Sequence, residues 1–416
     1  MNDDIKQYKK DYHKNRRAPN KTPIAALLGT VVLIALLFSV VVLRNNDQED
    51  ASGVSSDASY IDASFAPSED DTSISDESEE LVSNTEQSDE TSTETSEEEK
   101  MTTDEYFQTI TKKDEYNTIK AKKYGVDRFN FTYFYSDGAR LVLYLIHKSW
   151  GTWNIGDWTY IEANGTRHAF DGGSTDFENV YIFGKTAGSA TFRGGNHGND
   201  HLVDIKFFDA TTGEEVDLTD GQEHEMKGVR IVEHTQIYDS GTENVMNSED
   251  DVLVNMERIY TLNGPDIYLE CNVDFVKDTY AKIGYTTMFP IAKKYGDMIK
   301  FTNIDGTEKV VQTPVVGTSQ YGNNFSDYNK SMKVNIWGSQ NPKFQFEVEV
   351  YDESMLDPST YYTRYWDMNT SHNKLYFSIY NNNSATKIPA ETHWDALARW
   401  SFNIDEDFTF DGTVDQ

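Results

Sequence analysis

Val229-Arg-Ile-Val-Glu-His-Thr-Gln-Ile-Tyr238 reads with a period of two. Val229, Ile231, Glu233, Thr235 and Ile237 share one parity, and Arg230, His234, Gln236 and Tyr238 share the other with Val232. Successive side chains of a strand point to opposite faces, so this is a strand with an apolar face and a polar one, not a helix of period 3.6. The same alternation recurs outward in both directions. Phe129, Phe131, Tyr133 and Tyr135 share a face, as do Leu141, Leu143 and Leu145. Further strands fit Asn179 to Phe183, Leu202 to Phe208, Leu253 to Leu262, Ile267 to Phe275, Tyr280 to Phe289, Lys333 to Trp337, Phe344 to Tyr351, Lys374 to Tyr380 and Arg399 to Ile404. Aromatic and β-branched residues fill these runs, and Gly, Asn and Asp separate them. The pattern predicts an antiparallel all-β domain over residues 101–416, a β-sandwich or jelly roll, as one unit or two β subdomains. One exception is Thr102-x-x-Glu105, a capping box that predicts a short helix through about Lys123.

A different rule governs the first hundred residues. Ile24 to Leu43 is an uncharged apolar run of 20 residues, 14 of them Ile, Leu, Val or Phe. As a helix it is about 30 Å long, the thickness of a bilayer's hydrocarbon core. Lys6, Lys9, Lys10, Lys14, Arg16, Arg17 and Lys21 precede it and only Arg44 follows closely, so the amino end is expected in the cytoplasm. The run is longer than a signal peptide's apolar core and no small-x-small cleavage pattern follows. The expected organisation is a basic tail at 1–22, an uncleaved signal anchor at 23–44 with the bilayer as partner through 24–43, and a cell-surface domain outside. Between anchor and domain, residues 45–100 carry 19 Asp or Glu against one Lys. Such a segment cannot bury enough apolar surface to offset ordering entropy, which predicts a disordered stalk.

Charge narrows the partners. Residues 101–416 hold 28 Lys or Arg against 48 Asp or Glu, a net of −20 in a chain of −33. That field disfavours nucleic acid and leaves neutral glycans, cationic partners, or an acidic polymer met at a local basic pocket. Cys271 is the only cysteine and shares parity with Ile267, Leu269, Val273 and Phe275, so it reads as a core residue without a disulfide.

Three stretches carry candidate chemistry. Trp150, Trp153 and Trp158 lie in one Gly-containing run, where aromatic faces would stack on sugar rings or would pack into the core. Phe192-Arg-Gly-Gly-Asn-His-Gly-Asn-Asp-His201 has glycines that let backbone approach a ligand, which makes Asn196 and His197 candidate binding residues. His197 and His201 have the i, i+4 spacing of a metal pair, but so Gly-rich a run forms no helix, and no metal site is expected. Structural calcium has no supporting pattern either, so no cofactor is expected. Third is the polar face of the opening stretch, with His234 and Gln236, next to a strand presenting Arg258. Glu257, Glu270 and Asp274 also fall on strands, which leaves glycoside hydrolysis open. No Gly-x-Ser-x-Gly elbow and no phosphate-binding Gly loop occurs.

Arg193, Gln236-Ile-Tyr238 and Tyr280-x-Lys282-x-Gly284-Tyr285 follow one another in the order of motifs in the jelly-roll polysaccharide lyases of the alginate-lyase type, which this chain resembles over about 90 residues. It departs from them where Tyr238 replaces a His, where Gly195 stands for an acidic residue, and where Tyr285 comes one residue early. On a regular strand that slip turns the side chain to the other face, so Tyr285 fits only with a bulge near Gly284. The Phe192–His201 run, with Thr175-Asp-Phe177, also resembles phage-appendage and Gram-positive surface β-proteins. What the lyase resemblance implies is β-elimination on a uronate-containing polymer. Arg193, Asn196, Gln236 and His234 would neutralise the sugar carboxylate. Tyr285, or failing it Tyr280, would move the proton beside Lys282 or Arg258. The alternative is a non-catalytic glycan-binding or envelope-interaction module.

Overall fold

The computed structural model describes residues 115–170, 177, 179–303, 305–315, 331–351, 362–366 and 371–415. The expected tail, span and stalk lie outside these residues; among the described residues no helix is long and apolar enough to cross a membrane. In chain order the strands are β1 (Thr118–Tyr124), β2 (Arg128–Phe134), β3 (Arg140–His147), β4 (Trp153–Ile161), β5 (Arg167–Ala169), β6 (Val180–Gly184) and β7 (Thr191–Arg193). Then come β8 (Asp200–Asp209), β9 (Glu223–Lys227), β10 (Val229–Tyr238), β11 (Val252–Asn263), β12 (Asp266–Phe275), β13 (Thr279–Ala292) and β14 (Met298–Asn303). The last six are β15 (Glu308–Gln312), β16 (Ser331–Gly338), β17 (Asn341–Val350), β18 (Tyr362–Trp366), β19 (His372–Ile388) and β20 (His393–Ile404). The helix expected through Lys123 is corrected over its described part: Thr118–Tyr124 is a strand, paired with β2 on one side and β9 on the other.

Three antiparallel sheets result. Sheet A runs β5-β4-β3-β2-β1-β9, sheet B runs β18-β19-β13-β6-β7, and sheet C runs β15-β14-β16-β17-β20-β12-β11-β10-β8. Sheet A is largely a meander, whereas in sheets B and C half of the neighbouring pairs are non-consecutive, with β13 set between β19 and β6 and β20 between β17 and β12. Sheets A and B form one layer and sheet C the other. Rings bridge the layers: Phe129 lies 4.7 Å from Phe207, Trp158 6.0 Å from Phe402, Phe183 5.5 Å from Phe275, and Phe177 5.4 Å from Trp400. The parities read from sequence fall on this core: Val229, Ile231, Glu233, Thr235 and Ile237 are all buried.

Cys271 is also buried there, beside the Tyr181 hydroxyl at 3.4 Å, and burial pushes its thiol up to about 11. A thiol held that high is not a nucleophile at neutral pH. Between the layers Arg258 is sandwiched by two carboxylates, Asp200 at 3.3 Å and Glu233 at 3.2 Å, all three essentially inaccessible. Glu233 accepts a further bond from the backbone N–H of Trp153 at 2.9 Å, which ties sheet C to sheet A. Buried charges of this kind persist only when paired and hydrogen-bonded.

Candidate functional site

The polar parity of β10 opens onto the outer face of sheet C. A groove of about 650 Å³ lies there, lined by Val203, His234, Thr235, Gln236, Asn255, Met256, Glu257, Asn272, Asp274 and His393. Its floor is set by register. His234 pairs with Asp204 on β8 and Glu257 on β11, Glu257 pairs with Asn272 on β12, and Asn272 pairs with Asp395 on β20. Because cross-strand partners share a face, these side chains form one row over adjacent strands. His234 Nδ1 lies 2.6 Å from Asp204 and its Nε2 3.1 Å from Glu257, while Asn272 Nδ2 donates to Glu257 at 3.0 Å. A parallel row runs beside it, with Gln236 Nε2 donating to Asn255 at 3.0 Å and His393 Nδ1 lying 2.7 Å from Asp274. The β8–β10 register shifts between His234 and Thr235, leaving Val203 as the extra residue at the rim.

Electrostatics follow from the rows. Partial burial pulls the His234 imidazole down, but hydrogen bonds to Asp204 and Glu257 and their charges outweigh it, and the net shift is upward. No Lys or Arg is among the lining residues, so the groove presents carboxylate and amide groups and two imidazoles without a fixed cation.

Of the residues expected from sequence, His234, Gln236, Glu257 and Asp274 line this groove and the rest are not among its lining residues. Arg193 is a buried tether: it pairs with Asp239 at 2.9 Å, and donates to the carbonyls of Phe183 and Tyr238, each at 2.8 Å. Arg258 is the interlayer cation described above and faces no groove. Tyr285, Tyr280 and Lys282 are on β13 in sheet B. The bulge required at Gly284 is present, as register shifts between Gly284 and Tyr285 and again before Thr287, but Tyr285 is 6% exposed and its ring lies 4.3 Å from Tyr376. Trp153 and Trp158 are corrected from a glycan platform to core packing, Trp153 against Phe129 and Trp158 against Phe346 and Phe402. Trp150 is half-buried under Lys148. Asn196 and His197 lie in the loop before β8, where His197 is exposed and stacks on Phe192 with centroids 4.8 Å apart. Among the described residues no group of three His, Cys, Asp or Glu is placed to hold a metal ion. Asp204, Asn272 and His393 were not singled out from sequence, because each is polar on a half-exposed strand and only cross-strand register joins them to His234.

No family model matches the chain, and no curated protein does. Solved structures similar to it include an alpha-galactosidase from Lactobacillus brevis, at 9% identity and a TM-score of 0.36 over 68% of this chain and 39% of that one. A GH36 alpha-galactosidase from Geobacillus stearothermophilus aligns at 6% identity and a TM-score of 0.42, with 68% of this chain and 41% of that one covered. A putative aldose 1-epimerase from Klebsiella pneumoniae aligns at 8% identity and a TM-score of 0.35, with 72% of this chain and 86% of that one covered. The chain thus spans about two fifths of the galactosidases and most of the epimerase.

Proposed function

We propose that the β domain is a glycan-binding module, displayed outside the cell by the span at 24–43, with the sheet C groove as its site. The supporting observation is the hydrogen-bonded row Asp204–His234–Glu257–Asn272 beside the row of Gln236, Asn255, Asp274 and His393. Such rows offer alternating donors and acceptors at the spacing of β-strands, about 4.8 Å, which suits the closely set hydroxyls of a neutral sugar. The volume lies within the usual range of about 300–1,000 Å³ for ligand sites. A uronate is the poorer ligand here, because Glu257 and Asp274 and no Lys or Arg line the groove and its own carboxylate would go unneutralised.

A catalytic second reading draws on His234, whose imidazole sits between two carboxylates and could pass a proton to a sugar oxygen. β-Elimination in particular also needs carboxylate-neutralising donors and a poised Tyr, and of those that the lyase resemblance implied Arg193, Arg258 and Tyr285 are buried elsewhere while Tyr280 is half-buried on sheet B.

Binding of the full-length chain to an array of neutral glycans tests the proposal. Its Kd should weaken about tenfold in His234→Ala and in Glu257→Gln, the loss expected for one charged hydrogen bond. Absence of any neutral glycan ligand, or unchanged binding by both variants, would refute it. The ultraviolet absorbance of an unsaturated uronate end, appearing with wild type and absent with His234→Ala, would establish the lyase reading instead.

A further inference from the structure

One end of sheet A gathers the β1–β2 turn, the turn after β3 and the start of β9. Register and a backbone bond hold them together. Tyr124 pairs with Arg128, Arg128 with Ile146 and Lys122 with Glu223, while the backbone N–H of His147 donates to the Asp127 carbonyl at 2.8 Å.

Two properties set this tip apart from the rest of the domain. Turns ordinarily carry Gly, Pro, Asn, Asp or Ser, but here the apex is Val126, which is 84% exposed, next to Tyr124 at 42%. Trp150 stands half-buried in the neighbouring turn. The tip is also cationic: residues 118–153 hold six Lys or Arg against two Asp, a net of +4 within a domain of −20. Lys122 Nζ and the Arg128 guanidinium lie 5.3 and 5.4 Å from the centre of the Tyr124 ring, Lys123 Nζ lies 5.3 Å from Phe129, and Lys148 Nζ 5.8 Å from Trp150. Among the described residues Lys122, Lys123 and Arg128 have no carboxylate partner. Of the nearby carboxylates, Glu223 is held by Lys120 at 2.9 Å and Asp220 by His224 at 3.0 Å, and Asp127 and Glu225 stand beside them.

We infer that this tip docks on the anionic headgroup surface of a lipid bilayer, with Val126 and Tyr124 entering below the headgroups and Lys122, Lys123, Arg128 and Lys148 meeting lipid phosphates. The combination carries the assignment. A polyanion dissolved in water offers charge but nothing apolar to Val126, whereas an anionic bilayer offers both layers in the order the tip presents them. Tyr and Trp ringed by long basic side chains are the groups that favour this boundary. The contact is confined to the tip, since the rest of a domain at −20 is repelled by the same surface. This inference rests on the topology proposed above. Residues 44–114 separate the span from the first described residue, and a flexible coil of that length has a root-mean-square reach of about 45 Å, enough to bring the tip back to the bilayer.

Full-length protein is reconstituted into liposomes of phosphatidylcholine, with and without phosphatidylglycerol. An environment-sensitive dye is placed at Val126→Cys or, for comparison, at Val276→Cys, an exposed position on the turn between β12 and β13; the native Cys271 is buried and stays unlabelled. With phosphatidylglycerol the dye at position 126 should emit at shorter wavelength than without it, and the dye at 276 should not. About 1 M salt, where the Debye length is about 3 Å, should abolish the shift. So should Lys122→Gln/Lys123→Gln, a variant expected to melt within a few degrees of wild type because it spares Arg128, which packs 5.5 Å from Tyr144. A dye at 126 that reads water on both lipids, an equal shift at 276, or a shift that survives both salt and the double variant would overturn the inference. Flotation with phosphatidylcholine liposomes reports the span separately. A chain that does not float with them refutes the topology and this inference with it, whereas a floating chain with an unshifted dye refutes the inference alone.

Discussion

Glu233 and His234 are adjacent in sequence and face opposite sides of sheet C, and both hold protons more tightly than they do in water. For Glu233 the cause is burial, which raises it to about 7 against the lowering effect of Arg258's charge. An acid whose folded pKa exceeds its unfolded value binds more protons when folded, so its stabilisation is full below about 4.5 and is lost as pH rises through about 7. The melting temperature of wild type relative to Glu233→Gln should therefore fall as pH is raised from 4.5 to 7.5. A difference that stays flat or rises would mean that Glu233 is ionised throughout. His234 has the same sign, its stabilisation present below its ordinary pKa and lost as pH rises through the raised one. Sequence parity alone sorted these two residues correctly, Glu233 inward and His234 outward. It could not pair Glu233 with Arg258 or His234 with Asp204, because those distances depend on which strands become neighbours.

Elements were legible in proportion to how locally they are determined. Strands of strong alternation such as β10, β11 and β12 were readable, whereas Ala121-Lys-Lys-Tyr-Gly125 and Ala292-Lys-Lys-Tyr-Gly296 share five letters and adopt two structures. The first ends β1 and turns at Gly125, with φ +62°. The second is a tight helical turn after β13, anchored through Asp297, which accepts from the backbone N–H and the hydroxyl of Ser339 at 2.7 and 2.6 Å. Close approach there requires Gly338, since a Cβ at that position would strike the Lys294 carbonyl and the backbone of Tyr295. At Gly284 in the β13 bulge a Cβ would meet only side chains, Trp394 at 3.0 Å and Ile379 at 3.2 Å. Side chains yield more readily than backbone, so Gly338→Ala should cost about 3 kcal/mol or more and Gly284→Ala about 1 kcal/mol. Thermal melts of the two variants decide it, and the reverse order would contradict the packing described.

At the scale of the whole molecule, the proposed topology predicts that protease added to intact or wall-stripped cells releases a soluble fragment beginning within residues 45–100. Protection of the β domain under those conditions would place it on the other side of the membrane. The all-β class was legible from period and composition, but the division into three sheets was not, because which strands adjoin is decided by non-local packing. Sheet C shows how far that non-locality extends. Its strand β20, at residues 393–404, lies between β12 and β17 in the middle of the sheet, pairing Asp266 with Ser401 and Phe344 with Ile404. A chain that emerges amino end first must therefore hold β12 open for more than a hundred residues before its partner arrives. Contacts so distant in sequence form slowly. Until they form, two long strands expose unpaired edges of the kind that recruit other chains. The vulnerable period for this protein is thus its own synthesis, and an interruption just short of residue 393 would leave an aggregation-prone half-sheet in place of a slightly shortened domain.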